Sequence, residues 1–530
     1  MRPKQILFGQ EAREKLIAGV EKIGRAVTTT LSPKGRNVAL GQPFGQTPKV
    51  IHDGVSVAKE IILEDPFENM GALLAREAAE RTNEAVGDGT TTAILLTQKL
   101  TTKGMKQVSN GINPMLMKNG IDKAVAAVSK EIKRLSKPLE HKDWAKVATI
   151  SAQNELIGSK VVEAIEMVGE NGMIEVQEGK STEIVIEHKE GMTWNTGYVS
   201  PFFCKSPNDL EAVVEKPYIL LTDYRITKFS DFMPMLSKMK SKDLVIIAES
   251  VEDEALNTMI VNKLQGRLNV LIVRAPYYGQ KRRAMMEDLA AITGGTVISE
   301  TKGMKLTDAN VLDYLGQAET IRADKYSTSV VGGAGKQEAI DAHIVRVKAE
   351  KEAATMGHDI EQATERLAKL TGGVAVILVG AGSESEMKNL KERVIDAKGA
   401  TMAAIRSGIV AGGGVTLLRA VSVLDNVKAE NEDEQAGIDL VREVAQEPLR
   451  LLATNSGKDA GWILGKIQET DKPEHGYNVL TGKFGDMIEM GIIEPAQLAI
   501  VSLQYAASAA SMILTTDCLV NEIEEEHGRQ

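Results

Sequence analysis

Aromatic residues make up only 4% of this 530-residue chain, so any core it builds has to be filled by aliphatic side chains. Cysteine is nearly absent. Cys204 and Cys518 are the only two, too few for a disulfide framework and not arranged as a C-x-x-C pair. That usage suits a reducing compartment, and a cytosolic protein is expected. The first nine residues, Met1 to Gly9, lack the apolar run of a secretory signal. No stretch reaches the ~18 uninterrupted apolar residues of a membrane span, so no membrane is expected. Lys and Arg total 63 against 73 Asp and Glu, a net charge of −10, and no basic run exceeds three residues, which argues against a nucleic-acid partner. The seven histidines form no H-E-x-x-H and no Cys/His cluster, which disfavours zinc. Ser-His-Asp chemistry has no G-x-S-x-G anchor.

What is present is globular: 43% hydrophobic and 26% charged residues. At ~100–200 residues per domain the length implies about three or four compact units. With 47 glycines and 21 methionines beside so few aromatics, the interior must be mostly aliphatic, and Met-rich surface is adaptable. Along the chain, apolar residues at helical spacing from Asn69 to Val86 stop at Gly87-Asp88-Gly89, and Thr90-Thr91-Thr92 opens the next helix. Asn113-Pro114 starts a further helix through about Leu135, and short strands are expected at Asn37–Leu40 and near Val50–Ile51.

After Glu190 the character changes to alternating strands and helices. Strands are expected at Tyr218–Leu221, Leu244–Ala248, Val270–Val273, Thr296–Ile298 and Val374–Val379, with helices at Asp231–Met239 and Asp253–Leu264. Two helices joined near Met356-Gly357-His358 fill Ile340 to Leu370, and helices dominate again from Leu390, including Gln435–Leu452 and Glu494–Ile513. The order helical, mixed, helical allows the two ends to form one domain with the middle inserted.

The Gly87-Asp88-Gly89-Thr90-Thr91-Thr92 segment carries the strongest local chemistry. Free N–H groups at a helix start attract phosphate, glycine lets phosphate approach the backbone, and an adjacent carboxylate can hold Mg²⁺ on those phosphates. An ordinary turn with a threonine cap has the same pattern, and so does Ala411-Gly412-Gly413-Gly414-Val415 as a tight loop. The usual nucleotide signatures fail: Gly332-Gly333-Ala334-Gly335-Lys336-Gln337 lacks the first Gly and the Ser/Thr of a P-loop. Gly380-Ala381-Gly382-Ser383-Glu384-Ser385 lacks the third Gly of a dinucleotide fingerprint.

In order, Leu31-Ser32-Pro33-Lys34-Gly35-Arg36-Asn37, Asp53-Gly54-Val55-Ser56, Phe67-Glu68-Asn69-Met70-Gly71, the Gly-Asp-Gly-Thr-Thr-Thr turn, Gly197-Tyr198-Val199-Ser200-Pro201, Thr293-Gly294-Gly295-Thr296, Gly372-Gly373-Val374-Ala375, Gly412-Gly413-Gly414 and Gln504-Tyr505-Ala506-Ala507 run through nearly the whole chain. This resembles the large subunit of the bacterial-type (group I) chaperonins. The resemblance implies a multi-domain α + α/β fold: a helical equatorial ATP-binding domain from 1–134 with 407–530, a small intermediate hinge domain from 135–189 with 375–406, and an α/β apical client-binding domain from 190–374. It implies homo-oligomeric seven-membered rings, a co-chaperonin lid, non-native proteins as clients, and ATP hydrolysis with Mg²⁺ and K⁺.

By the same resemblance Thr30, Leu31 and Pro33 line the nucleotide, Asp88 holds Mg²⁺, and Gly89, Thr90, Thr91 and Thr92 contact phosphates. Asp53 and Asp396 position and activate the attacking water. Gly413 and Gly414 sit by the nucleotide, Asn478, Val479 and Leu480 at the base, and Glu494 at the ribose. Clients meet Tyr198, Phe202, Phe203, Met233, Leu236, Leu256, Ile260 and Val261. Met233 with Leu236, and Leu256 with Ile260, have the i, i+3 and i, i+4 spacing of one helix face, which ordinary core packing shares.

Departures from the family pattern bear on the cycle. Ser32 stands where Gly is usual, His52 where Lys is usual, Glu494 where Asp is usual, and Thr196 where an Arg pairs between subunits with an acid matching Glu384. The tail from Asn521 to Gln530 has no Gly-Met repeats. The expectation is an ATP-dependent chaperone with altered kinetics, and the alternative is a divergent holdase or scaffold with weak or lost ATP cycling.

Overall fold

The structure, a computed structural model, describes residues 3–41, 48–51, 54–169, 172–179, 181–189, 191–205, 211–308, 311–354 and 357–522. It falls into two compact units: one from Met1–Val162, Glu178–Ile184 and Val379–Gln530, the other from Glu163–Gln177 and Val185–Leu378. Together they give a multi-domain α + α/β chain.

The first unit is helical and is closed by its two ends. Lys4–Phe8 pairs antiparallel with Cys518–Glu522, with Ile6 opposite Val520. The helices Pro66–Val86 and Pro114–Leu135 begin alike. Asp65 and Asn113 accept backbone N–H bonds with their side chains, and Pro occupies the first turn, where its missing N–H is no loss. With few aromatics available, these helices approach closely. A Cβ on Gly120 would lie 2.0 Å from the Glu434 carbonyl oxygen, and one on Gly437 would lie 2.1 Å from that of Met117. Glycine is thus required on both sides of that crossing. The helix Ala496–Thr515 is long and apolar enough to cross a membrane by composition, yet 72% of that stretch is buried inside the protein. It packs on the helices Pro66–Val86, Thr90–Ser109 and Pro114–Leu135, which accounts for its apolar composition.

The second unit is built on a seven-stranded sheet. Asn269–Arg274, Asp243–Ala248 and Tyr218–Leu221 run parallel, then Gly316–Ala323, Thr328–Gly333 and Gly191–Trp194 follow antiparallel, and the seventh strand, Ala212–Glu215, also pairs antiparallel with Gly316–Ala323. The parallel strands are buried along almost their whole length, which is why they read as unbroken aliphatic runs. The helices Asp253–Leu264, Gly279–Thr293, Gln337–Ala353 and Gly357–Gly372 complete the unit. Val374–Val379 forms as expected, at the centre of a three-stranded sheet.

Four expected elements differ. Thr296–Ile298 makes only an isolated bridge from Ile298 to Thr222; Val297 and Ile298 are apolar because they are buried, not because they pair as a strand. Asp231–Met239 is a 3-10 turn at Phe229–Phe232 followed by the short helix Met233–Leu236, with Pro234 in its first turn. Gln435–Leu452 is two helices, Glu432–Val444 and Glu447–Asn455, because Pro448 can start a helix but not continue one. Glu494 lies outside its expected helix, in the strand Ile493–Pro495 opposite Val410.

Candidate functional site

The first unit encloses two cavities that share Leu31, Ser32, Thr92 and Gln153. The smaller, about 150 Å³, is lined by Thr30, Leu31, Asp88, Gly89, Thr90, Thr91, Thr92 and Asp396 among the sequence-expected residues. The larger, about 1000 Å³, takes Leu31, Pro33, Thr92, Gly413, Gly414, Asn478, Val479, Leu480 and Glu494. Segments hundreds of positions apart are therefore brought to one place. Asp53 and His52 lie outside the described residues; Gly54 and Val55, which follow them, line the smaller cavity.

Local chemistry explains the floor of the smaller cavity. Gly87 (φ 78°) ends the helix Pro66–Val86 and Gly89 (φ 87°) starts the helix Thr90–Ser109, both in the left-handed region that glycine tolerates. Between them the Asp88 carboxylate is fixed at both oxygens: it accepts from the Gly89 N–H at 2.6 Å and from the Ser151 hydroxyl at 2.8 Å. The first-turn N–H groups of a helix have no intrahelical acceptor, and no side chain caps this one. The Thr90 Oγ1 is buried and has no hydrogen-bond partner among the described residues.

That donor set fits phosphate: backbone N–H groups, an orphaned hydroxyl and the positive end of a twenty-residue helix. Mg²⁺ also fits, because it takes one or two carboxylates plus phosphate oxygens and water rather than a closed protein cage. No group of three or more metal-type ligands occurs among the described residues. Glu494 is half-buried as a residue, but its carboxyl is desolvated and faces the Asp88 charge. Both push it up to about 8. At neutral pH it is therefore mostly protonated and can donate as well as accept a hydrogen bond.

Ser32 keeps a glycine-like backbone at φ 103°. Its hydroxyl accepts from the Lys34 N–H at 3.1 Å, and Asn455 ties down the neighbouring carbonyls of Thr28 and Leu31. Holding a non-glycine residue there costs about 1–3 kcal/mol, whereas glycine loses only about 0.4–1 kcal/mol of extra unfolded-state entropy. Ser32→Gly is expected to raise stability by about 1 kcal/mol, read as a higher denaturant midpoint at unchanged slope. A lowered midpoint would show that the loop is not strained.

Sequence reasoning found Asp396 but missed the residues beside it. Asn389, Glu392 and Arg393 share one face of the helix Glu384–Ser407 with Asp396 and line the smaller cavity, as does Ser151. Their i, i+3, i+4, i+7 spacing was the available signal.

In the second unit, Phe202, Met233 and Val261 are exposed, at 56%, 51% and 48%. Tyr198, Leu236, Leu256 and Ile260 are half-buried against the core. Phe203 is a correction: it is 1% exposed and belongs to the core cluster, because the 3-10 turn Pro201–Phe203 sends adjacent side chains in different directions. Leu264, missed from sequence, is 67% exposed three positions after Val261 on the same helix. Thr196 donates to the Arg274 carbonyl at 2.8 Å, and Glu384 is paired with Lys388 one turn away at 2.6 Å.

A sequence model of the TCP-1/cpn60 chaperonin family matches residues 23–243 and 234–524. Among solved structures, the chain is similar to the chaperonin gp146 from the bacteriophage EL 2 (Pseudomonas aeruginosa), determined in the presence of ATP-BeFx. The two are 22% identical over 98% of this chain and 99% of that one, with a TM-score of 0.66.

Proposed function

Because the chain belongs to the TCP-1/cpn60 chaperonin family, a family of ring-forming chaperone ATPases, we propose that it is an ATP-driven folding machine that captures non-native polypeptides and encloses them in a ring cavity. The observation that carries this is the Gly-Asp-Gly turn and the Asp396 helix face lining one cavity of a single compact unit. Phosphates sit on the helix start at Gly89, Thr90, Thr91 and Thr92, with Mg²⁺ on Asp88. The larger cavity receives the nucleoside, its ribose at Glu494 and its base beside Asn478, Val479 and Leu480, with Gly413 and Gly414 lining the same cavity. Hydrolysis needs an in-line water and charge neutralisation, for which Asp396 and Asp53 position the water and K⁺ assists. The domain limits are those implied by the resemblance: equatorial 1–134 and 407–530, intermediate 135–189 and 375–406, apical 190–374.

Clients bind the exposed apical side chains Phe202, Met233, Val261 and Leu264, flanked by Tyr198, Leu236, Leu256 and Ile260. Unfolded chains share exposed apolar area rather than a motif, so an apolar face recognises them broadly. Seven-membered rings, a co-chaperonin lid and a cytosolic location complete the proposal. A holdase or scaffold is the second reading, favoured by the strained Ser32 and by Thr196, which carries no charge for a bridge between subunits.

Purified protein is tested for Mg²⁺-dependent ATP turnover and for refolding of a denatured client. Turnover coupled to refolding supports the machine; client capture with no turnover supports the holdase. Val261→Ser combined with Leu264→Ser is expected to weaken client affinity by about tenfold or more, since each lost apolar contact is worth about 1–2 kcal/mol. Both side chains are solvent-exposed, so the melting temperature should not move. A fall in melting temperature would return these residues to the core.

A further inference from the structure

The smaller cavity is acidic where an anion has to bind. Asp88, Glu392 and Asp396 line it, and Arg393 is the one Lys or Arg among its described lining residues. Arg393 is half-buried and forms no ion pair with a described residue. It lies three residues before Asp396 on the same helix face, and the first turn of the helix Thr90–Ser109 lines the same cavity. A guanidinium left without a carboxylate partner in such a site is placed for an incoming anion, and its planar fork matches phosphate geometry.

We propose that Arg393 contacts and neutralises the terminal phosphate of bound Mg·ATP, an assignment that rests on the nucleotide reading above. In the hydrolysis step a water oxygen forms a bond to the terminal phosphorus. The bond from that phosphorus to the bridging oxygen breaks with its electron pair departing on ADP, and the water proton passes to the Asp396 carboxylate. Charge stays on the three terminal oxygens throughout. Arg393 supplies fixed positive charge there at every working pH.

The test compares the full-length parent, Arg393→Gln and Arg393→Lys, with ATP turnover measured at saturating Mg²⁺ and with equilibrium binding of Mg·ATP and Mg·ADP. Arg393→Gln is expected to lower turnover by about 10²-fold or more, Arg393→Lys to recover about tenfold of it, and Mg·ADP affinity to stay at the parental value because ADP lacks the contacted phosphate. Thermal melts establish that the variants fold; if Arg393→Gln does not, Arg393→Lys carries the test through its own loss of turnover at unchanged ADP affinity. Parental turnover in Arg393→Gln, or equal losses for ADP and ATP, overturns the Arg393 assignment alone. A parent that binds no Mg·ATP overturns the nucleotide reading, and this inference with it.

Discussion

Replacing Asp396 by alanine is expected to leave Mg·ATP bound at close to parental affinity while steady-state hydrolysis falls by about 10²-fold or more. Two carboxylates of one cavity are held differently. Asp88 is immobilised at the turn by the Gly89 N–H and the Ser151 hydroxyl, which suits a group that must present an oxygen to a metal already carried by the ligand. Asp396 comes from the opposite wall, on the helix Glu384–Ser407, where a carboxylate can take up a water proton without being needed for nucleotide capture. A group acting only in the chemical step lowers turnover without weakening binding. Titration of a fixed enzyme concentration with Mg·ATP, beside a coupled phosphate-release assay, checks both quantities. Equal losses in affinity and turnover would place Asp396 in the binding shell, and parental turnover would remove it from the site.

How much of this was legible in the sequence depends on how local each feature is. The Gly87-Asp88-Gly89 turn is local: two left-handed residues end one helix and start the next, so the motif alone located it. Glu494 was misplaced because the apolar pattern runs on from Ile492 and Ile493 through Ala496 and Leu498 without a change of character. Pro495, a residue that ends a strand and precedes a helix comfortably, was the overlooked boundary. Phe203 and Leu264 are nearly opposite errors. Which of two apolar residues is buried is decided by the tertiary neighbour of each face, and composition carries no record of it. Arg393 stayed invisible for the same reason: its meaning comes from a helix start some three hundred residues earlier in the chain.

The largest stability effect is expected at Asp288, for which Asp288→Asn should cost about 3–5 kcal/mol. Its side chain is fully buried in the helix Gly279–Thr293 and accepts from Arg366 Nε at 2.8 Å and Nη2 at 2.7 Å, from the helix Gly357–Gly372. His343, on the third helix Gln337–Ala353, meets it through Nε2 at 2.6 Å. Arg346 lies 2.6 Å from His343 Nδ1, and since a guanidinium can only donate, Nδ1 is the acceptor and the Nε2 proton points at Asp288. Three helices thus converge on one carboxylate. Removing its charge leaves the Arg366 guanidinium, itself 9% exposed, without the partner that offset its desolvation. Exposed Glu350, which also receives Arg366 at 2.8 Å, is too solvated to replace it. Replacing the pair by apolar residues removes both buried charges together, so Asp288→Leu with Arg366→Met should be less destabilised than Asp288→Asn alone. Chemical denaturation of the three proteins decides the point: a single variant within about 1 kcal/mol of the parent, or a double variant destabilised as much as Asp288→Asn or more, would mean that this buried charge cluster does not hold the three helices together.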